Sequence, residues 1–140
     1  MNFEKLLEDK KIQIVAKSKF NLALAERDIF SAKRVFDGED YDWTLTIAYN
    51  AALQVGRALM FYLGYRPVGK DKHKIVFEFL YECKFDSDLV DYFDSIRKMR
   101  HAAVYDEVGL VSKSVAEEAI QKAEIFVQKI RVFVSENRAT

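Results

Sequence analysis

Residues 43–64 read WTLTIAYNAALQVGRALMFYLG, and this run decides the fold. No charge interrupts it before Arg57. Trp43, Leu45, Ile47, Ala48, Ala51, Ala52, Leu53, Val55, Ala58, Leu59, Met60, Phe61 and Leu63 distribute apolar groups almost all round a helix at about 100° per residue. No single stripe contains them, so other elements must cover the segment on most sides, which predicts a central helix. Asp40 or Asp42 can cap its start, and Gly64 its end. The charge-free part is shorter than the ~18 apolar residues a membrane span requires, so it reads as core rather than anchor. One polar line remains: Thr46, Asn50, Gln54 and Arg57 recur at steps of four, four and three on one face. That line meets either solvent or a cleft shared with a second polar helix.

Working outward, the chain gives helix after helix, with one proline and five glycines placed almost wholly between periodic segments. Upstream, residues 17–36 carry Leu22, Ala25, Ile29, Ala32 and Phe36 as one buried seam, ending at Gly38. Residues 2–15 form a short amphipathic helix or an arm through Phe3, Leu6, Leu7 and Ile14. Downstream of the loop YRPVGKDK, a helix over 73–83 turns Ile75, Val76, Phe79 and Leu80 inward. The next helix is capped by Asp86 or Ser87. After a loop over 107–112, Ser114-x-x-Glu117 is a capping box for a last helix with Ala116, Ala119, Ile120, Ala123, Val127, Ile130 and Val134 inward. Strand patterns are nearly absent and the loops are short. The expected fold is all-α, an up-and-down antiparallel bundle of five or six helices, forming one domain over residues 1–140.

The 22 basic and 22 acidic residues cancel, which removes any global field for nonspecific nucleic-acid binding and requires an anion site to be local. The lone Cys83 excludes an intrachain disulfide framework and a cysteine zinc cluster. The charged start MNFEKLLEDKK lacks the apolar run of a signal peptide. The expectation is a cytoplasmic protein with no membrane partner. Phe126, Val132 and Phe133 lie off the main stripe of the last helix, and surplus apolar groups of this kind favour a homodimer.

The anomaly is in residues 88–106, DLVDYFDSIRKMRHAAVYD. Leu89, Phe93, Ile96, Ala103 and Val104 form one stripe, and Arg100 falls in its middle. A guanidinium keeps its proton in a protein and is costly to bury unpaired, so Arg100 needs an acidic partner, a wet cleft or an anionic ligand. Arg97 and His101 flank it, and Tyr105 lies one turn further on. On a purely structural reading the partner is Asp28 or Glu26. On a functional one, Arg97 with Asn50, Gln54 and Arg57 lines a ligand cleft.

Other motifs carry no chemistry. Gly64-x-x-x-x-Gly69-Lys70 copies the first residues of a P-loop, but a helix precedes it and Asp71 stands where a Ser or Thr must hold Mg²⁺. His73 has no second histidine at metal spacing, so no metal and no cofactor is expected. The two histidines complete no nucleophilic triad.

The ordered series of segments resembles the HEPN domain (higher eukaryotes and prokaryotes nucleotide-binding) over nearly the whole chain. Ala25-Glu-Arg-Asp28-Ile29-Phe-Ser-Ala32 resembles that family's first long helix, and Tyr49-Asn-Ala-Ala-Leu with residues 59–64 its second. His73 opens the third, and Arg97-Lys-Met-Arg100-His101-Ala-Ala-Val-Tyr105-Asp106 resembles the signature helix. The resemblance implies a dimer that brings two motifs together, and in active members a metal-independent ribonuclease built on an arginine, a polar residue and a histidine. Many members are instead inactive partners, frequently encoded with a small nucleotidyltransferase.

Carried over, Arg100 matches the motif arginine and His101 the polar residue, but Tyr105 stands where the histidine belongs. A phenol with a pKa of ~10 is poorly matched to taking a ribose 2′-hydroxyl proton. Pairing Arg97 with His101 restores a histidine one residue short of the usual spacing. Two functions are therefore expected to compete: a dimeric module binding a nucleotide, RNA or a partner such as a nucleotidyltransferase or antitoxin, and a toxin-type endoribonuclease using Arg100 with His101 or Tyr105.

Overall fold

A computed structural model describes residues 1–103 and 111–137, with side chains up to residue 99 and again from residue 111. Among these residues the elements are α1 (Glu4–Glu8), β1 (Ile12–Ile14), α2 (Ala23–Asp37), α3 (Tyr41–Leu63), β2 (Tyr65–Pro67), α4 (Lys72–Glu82), α5 (Ser87–Ala103) and α6 (Lys113–Glu136). The fold is all-α in character, an up-and-down bundle with six helices among the described residues.

As its composition requires, α3 is the hub, packing against α2, α4, α5, α6 and β2. Ala48, Tyr49, Ala51, Ala52, Val55, Leu59 and Met60 on it are almost wholly buried. Trp43 and Phe61 depart from the expectation, being 52% and 40% exposed. They fall on the same side as the polar line, a side of α3 that no helix buries among the described residues. Asp40 caps the start by accepting from the Trp43 amide. Gly64 ends the helix at φ 93°, a left-handed turn that suits a residue without a Cβ. Where α3 crosses α4, Gly56 is so close that an added Cβ would lie 2.3 Å from Val76 Cγ1.

Three local expectations need correction. Residues 2–15 do not form one helix: α1 stops at Glu8, and Ile12–Ile14 pairs antiparallel with β2 in the register Ile12↔Pro67 and Ile14↔Tyr65. Strands of three residues are too short for alternation to announce them, and their pairing partner lies far along the chain. The helix expected from residue 17 begins at Ala23. The preceding segment instead runs along the end of α3, with the Val15 amide donating to the Gly64 carbonyl and the Ser18 amide to that of Phe61. The cap of α6 is Ser112, whose hydroxyl accepts from the Val115 amide, so the Ser114 capping box does not form.

The surplus apolar residues of α6 are also mostly accounted for inside the chain. Phe126 is fully buried, with its ring centroid 5.2 Å from that of Phe85 and 5.6 Å from that of Phe93. Phe133 meets Phe85 edge-on, leaving only Val132 outside. The helix has two buried faces because α2 and α3 cover one and the Phe85 turn the other. Among the described residues no helix is long and apolar enough to cross a membrane, and no cluster of His, Cys, Asp or Glu is arranged to hold a metal ion.

Candidate functional site

The helix α5 is set in place from its start. The Asp86 carboxylate accepts from the Leu89 amide and pairs with Lys129 on α6, and the lysine holds that carboxyl below the usual carboxylate range. Leu89, Val90, Phe93 and Ile96 then bury one face. Their flank carries Asp94, Arg97 and Lys98 toward α4. Arg97 Nε donates to Asp94 Oδ1 at 2.8 Å across one helical turn, with the two side chains only 12% and 14% exposed. Lys98 Nζ lies 3.6 Å from the other oxygen of the same carboxylate. The pairing explains how a guanidinium can be this deeply set, and it engages Nε, one of the five N–H donors of the fork.

Across from this flank, α4 presents Lys74, Phe77, Glu78 and Tyr81 at helical spacing. Together with Asp71 they close a groove of about 530 Å³ between α4 and α5. Phe77 gives an apolar floor, being 1% exposed. The Tyr81 hydroxyl donates to Asp91 Oδ1, and burial together with that carboxylate pushes the phenol well above its ordinary pKa. Just beyond Tyr81, at the C-terminal end of α4, Cys83 is buried and its thiol is pushed up to about 12, chiefly by desolvation. His73 Nδ1 shares a hydrogen bond of 3.2 Å with the Tyr49 hydroxyl.

The residues singled out from the sequence separate into three groups. Arg97 lines the groove. Asn50, Gln54 and Arg57 are half-exposed and do not line it. The side of α3 that meets α4 is marked by Tyr49 and Gly56, and the polar line lies about 100° round from it. Thr46 on that line turns its hydroxyl to the Asp42 carbonyl. Arg100, His101 and Tyr105 lie outside the residues whose side chains are described. Of the two acids suggested as partners for Arg100, Glu26 is engaged by Arg131 at 2.6 Å. Asp28 has Arg27 at 3.8 Å, and burial raises its carboxyl. Sequence reasoning passed over Lys74, Glu78, Tyr81, Asp94 and Lys98. Their spacing on two adjacent helices puts each set on one face, but only the pairing of those faces turns them into a groove.

An all-α bundle with an arginine-bearing groove beside its fifth helix defines the class, and comparison with known proteins defines the family. The HEPN domain family matches residues 19–133, and the chain belongs to it. It is similar to a UPF0332 protein of Archaeoglobus fulgidus, with 31% identity over 125 residues that cover 81% of this chain and 92% of that protein. It is also similar to a protein of Methanocaldococcus jannaschii described as a candidate toxin, with 24% identity over 115 residues covering 79% and 76%. The matched span starts beyond α1 and β1.

Proposed function

We propose that the chain is a single HEPN-type domain acting as a cytoplasmic homodimeric module that binds nucleotide or RNA phosphate at the C-terminal part of α5, without efficient turnover. The observation that carries this reading is Arg97. It is held by Asp94 at the wall of the groove one turn before Arg100, in a signature sequence that has Tyr105 where a general base would need to be histidine. Arginine suits phosphate because its fork donates two parallel hydrogen bonds. The dimer is supported by the side of α3 left uncovered among the described residues, where exposed Trp43 and Phe61 bracket Asn50, Gln54 and Arg57. A small nucleotidyltransferase or an antitoxin is the protein partner the family suggests.

The second reading is a metal-independent endoribonuclease of toxin type, favoured by the description of the Methanocaldococcus jannaschii relative. There Arg100 would stabilise the phosphorane and His101 or Tyr105 would move the proton. One experiment separates the two: incubation of mixed-sequence RNA with the wild type in EDTA, alongside Arg97→Gln, His101→Ala and Tyr105→Phe. The expected result is intact RNA with every protein, and RNA affinity lowered at least tenfold in Arg97→Gln. Cleavage by the wild type that Tyr105→Phe or His101→Ala abolishes would overturn the binding reading in favour of the ribonuclease.

A further inference from the structure

The sequence requires any anion site to be local, because the charges of the whole chain cancel. A second groove of about 230 Å³ adjoins the first, between the turn that leads into β1 and the turn that follows β2. The two grooves share Asp71, Lys74 and Glu78 as lining, so they abut over the start of α4 and together make a two-part channel. Six cations stand along it: Lys10, Lys11, Lys70, Lys74, Arg97 and Lys98.

The carboxylates of the channel are mostly committed. Glu78 holds Lys11 at 2.9 Å, Asp94 holds Arg97, and Asp9 leans on Lys5. Among the described residues Lys10, Lys70 and Lys74 make no ion pair, which leaves only Asp71 to oppose them. The β1–β2 ribbon is what brings this about. Ile12↔Pro67 pairing, extended by the Val68 amide donating to the Lys11 carbonyl, sets the turn at Lys10 beside the turn at Lys70. Lys10 and Lys11 precede the residues that match the family.

From this we infer that the channel is a track for the backbone of single-stranded RNA, running from Lys10 and Lys70 past Lys74 to Arg97. The inference rests on the phosphate-binding reading of the α5 groove and extends it beyond one nucleotide. Cations spaced over two joined grooves fit successive phosphates, whereas a mononucleotide fills one groove only. Recessed walls admit one strand, and Tyr81, part exposed and tethered through its hydroxyl to Asp91, offers a ring face on which a base can stack.

The test is a double variant, Lys10→Gln and Lys70→Gln, at two exposed positions that line only the second groove and that no described side-chain contact ties to the fold. Binding of fluorescein-labelled oligouridylate of about a dozen nucleotides is followed by anisotropy across a salt series, beside a fluorescent mononucleotide. The expected result is RNA affinity reduced at least tenfold, a slope of log K against log salt shallower by about 1.4 for two lost phosphate contacts, and mononucleotide binding unchanged because the lining of the α5 groove is intact. RNA binding by the double variant with wild-type affinity and slope overturns the track while the α5 reading stands. Failure of the wild type to bind either probe overturns both.

Discussion

Replacing Gly56 by Ala tests the closest approach in the bundle. On propensity alone the change should help, since alanine in a helix interior is favoured over glycine by about 1 kcal/mol. The new methyl, however, would lie 2.3 Å from Val76 Cγ1 and 3.3 Å from Leu80 Cδ1, where carbon atoms prefer roughly 3.5–4.0 Å. Val76 is fully buried and branched at Cβ, so it cannot swing aside into another rotamer without a second clash. Relief requires α3 and α4 to separate, and overpacking of this kind costs about 1–3 kcal/mol or more. The overlap here is at the severe end, so the net expectation is a loss of about 1–2 kcal/mol and a Tm lower by roughly 4–8 °C. Urea and thermal melts followed by circular dichroism measure it, and Gly56→Ala/Val76→Ala should recover part of the loss relative to Val76→Ala alone. A Gly56→Ala protein as stable as the wild type would refute the close-contact account of the α3–α4 crossing.

Two further outcomes follow from the titrating groups. Cys83, buried and with its thiol pushed up to about 12, should resist iodoacetamide in the native protein at mildly alkaline pH and react only as urea unfolds the chain; rapid native labelling would contradict its placement. Asp86→Ala should destabilise the protein by about 1–2 kcal/mol through the lost cap and ion pair. Because the folded-state carboxyl of Asp86 is depressed, its contribution is present above the unfolded pKa of ~4 and is lost as pH falls through the folded value. The gap between wild-type and variant stability should therefore narrow in acid, and a gap that widens there would reverse the assignment.

What the sequence conveyed depended on how much of each element a local pattern determines. The long helices were legible because burial repeats with their period: Ala25, Ile29 and Ala32 on α2 are buried as expected, and so are Ala116, Ala119 and Ala123 on α6. Caps with a short polar side chain at the right place, Asp40 and Asp86, were legible as well. The ribbon was not, since Ile12 and Ile14 acquire their roles only from partners over fifty residues away. The expected surplus on α6 misled because periodicity finds a helix's principal buried face and is silent about a second one. For the site, Arg97 was legible as a charge beside an apolar stripe. The groove itself was not, because Lys74 and Glu78 look like ordinary surface residues until α4 is set against α5. The P-loop-like run follows the helix α3 rather than a strand, and its Lys70 lines the channel by a different route.

The ribbon also bears on the order in which the chain assembles. The helices α2 and α3 meet across a short turn and can pair early, while joining Ile12 to Pro67 encloses both of them and requires closure of a far longer loop, whose entropic cost rises with length. Three residue pairs recover little until Phe3 has stacked on Phe79, with ring centroids 4.4 Å apart, and Leu6 is buried. The N-terminal segment is therefore expected to zip on last and open first, as a unit laid over a finished bundle. Each opening would dismantle one wall of the lysine channel and leave Arg97 in place, so that the reach of the proposed RNA track, though not the α5 groove, would follow the state of a clasp three residues long.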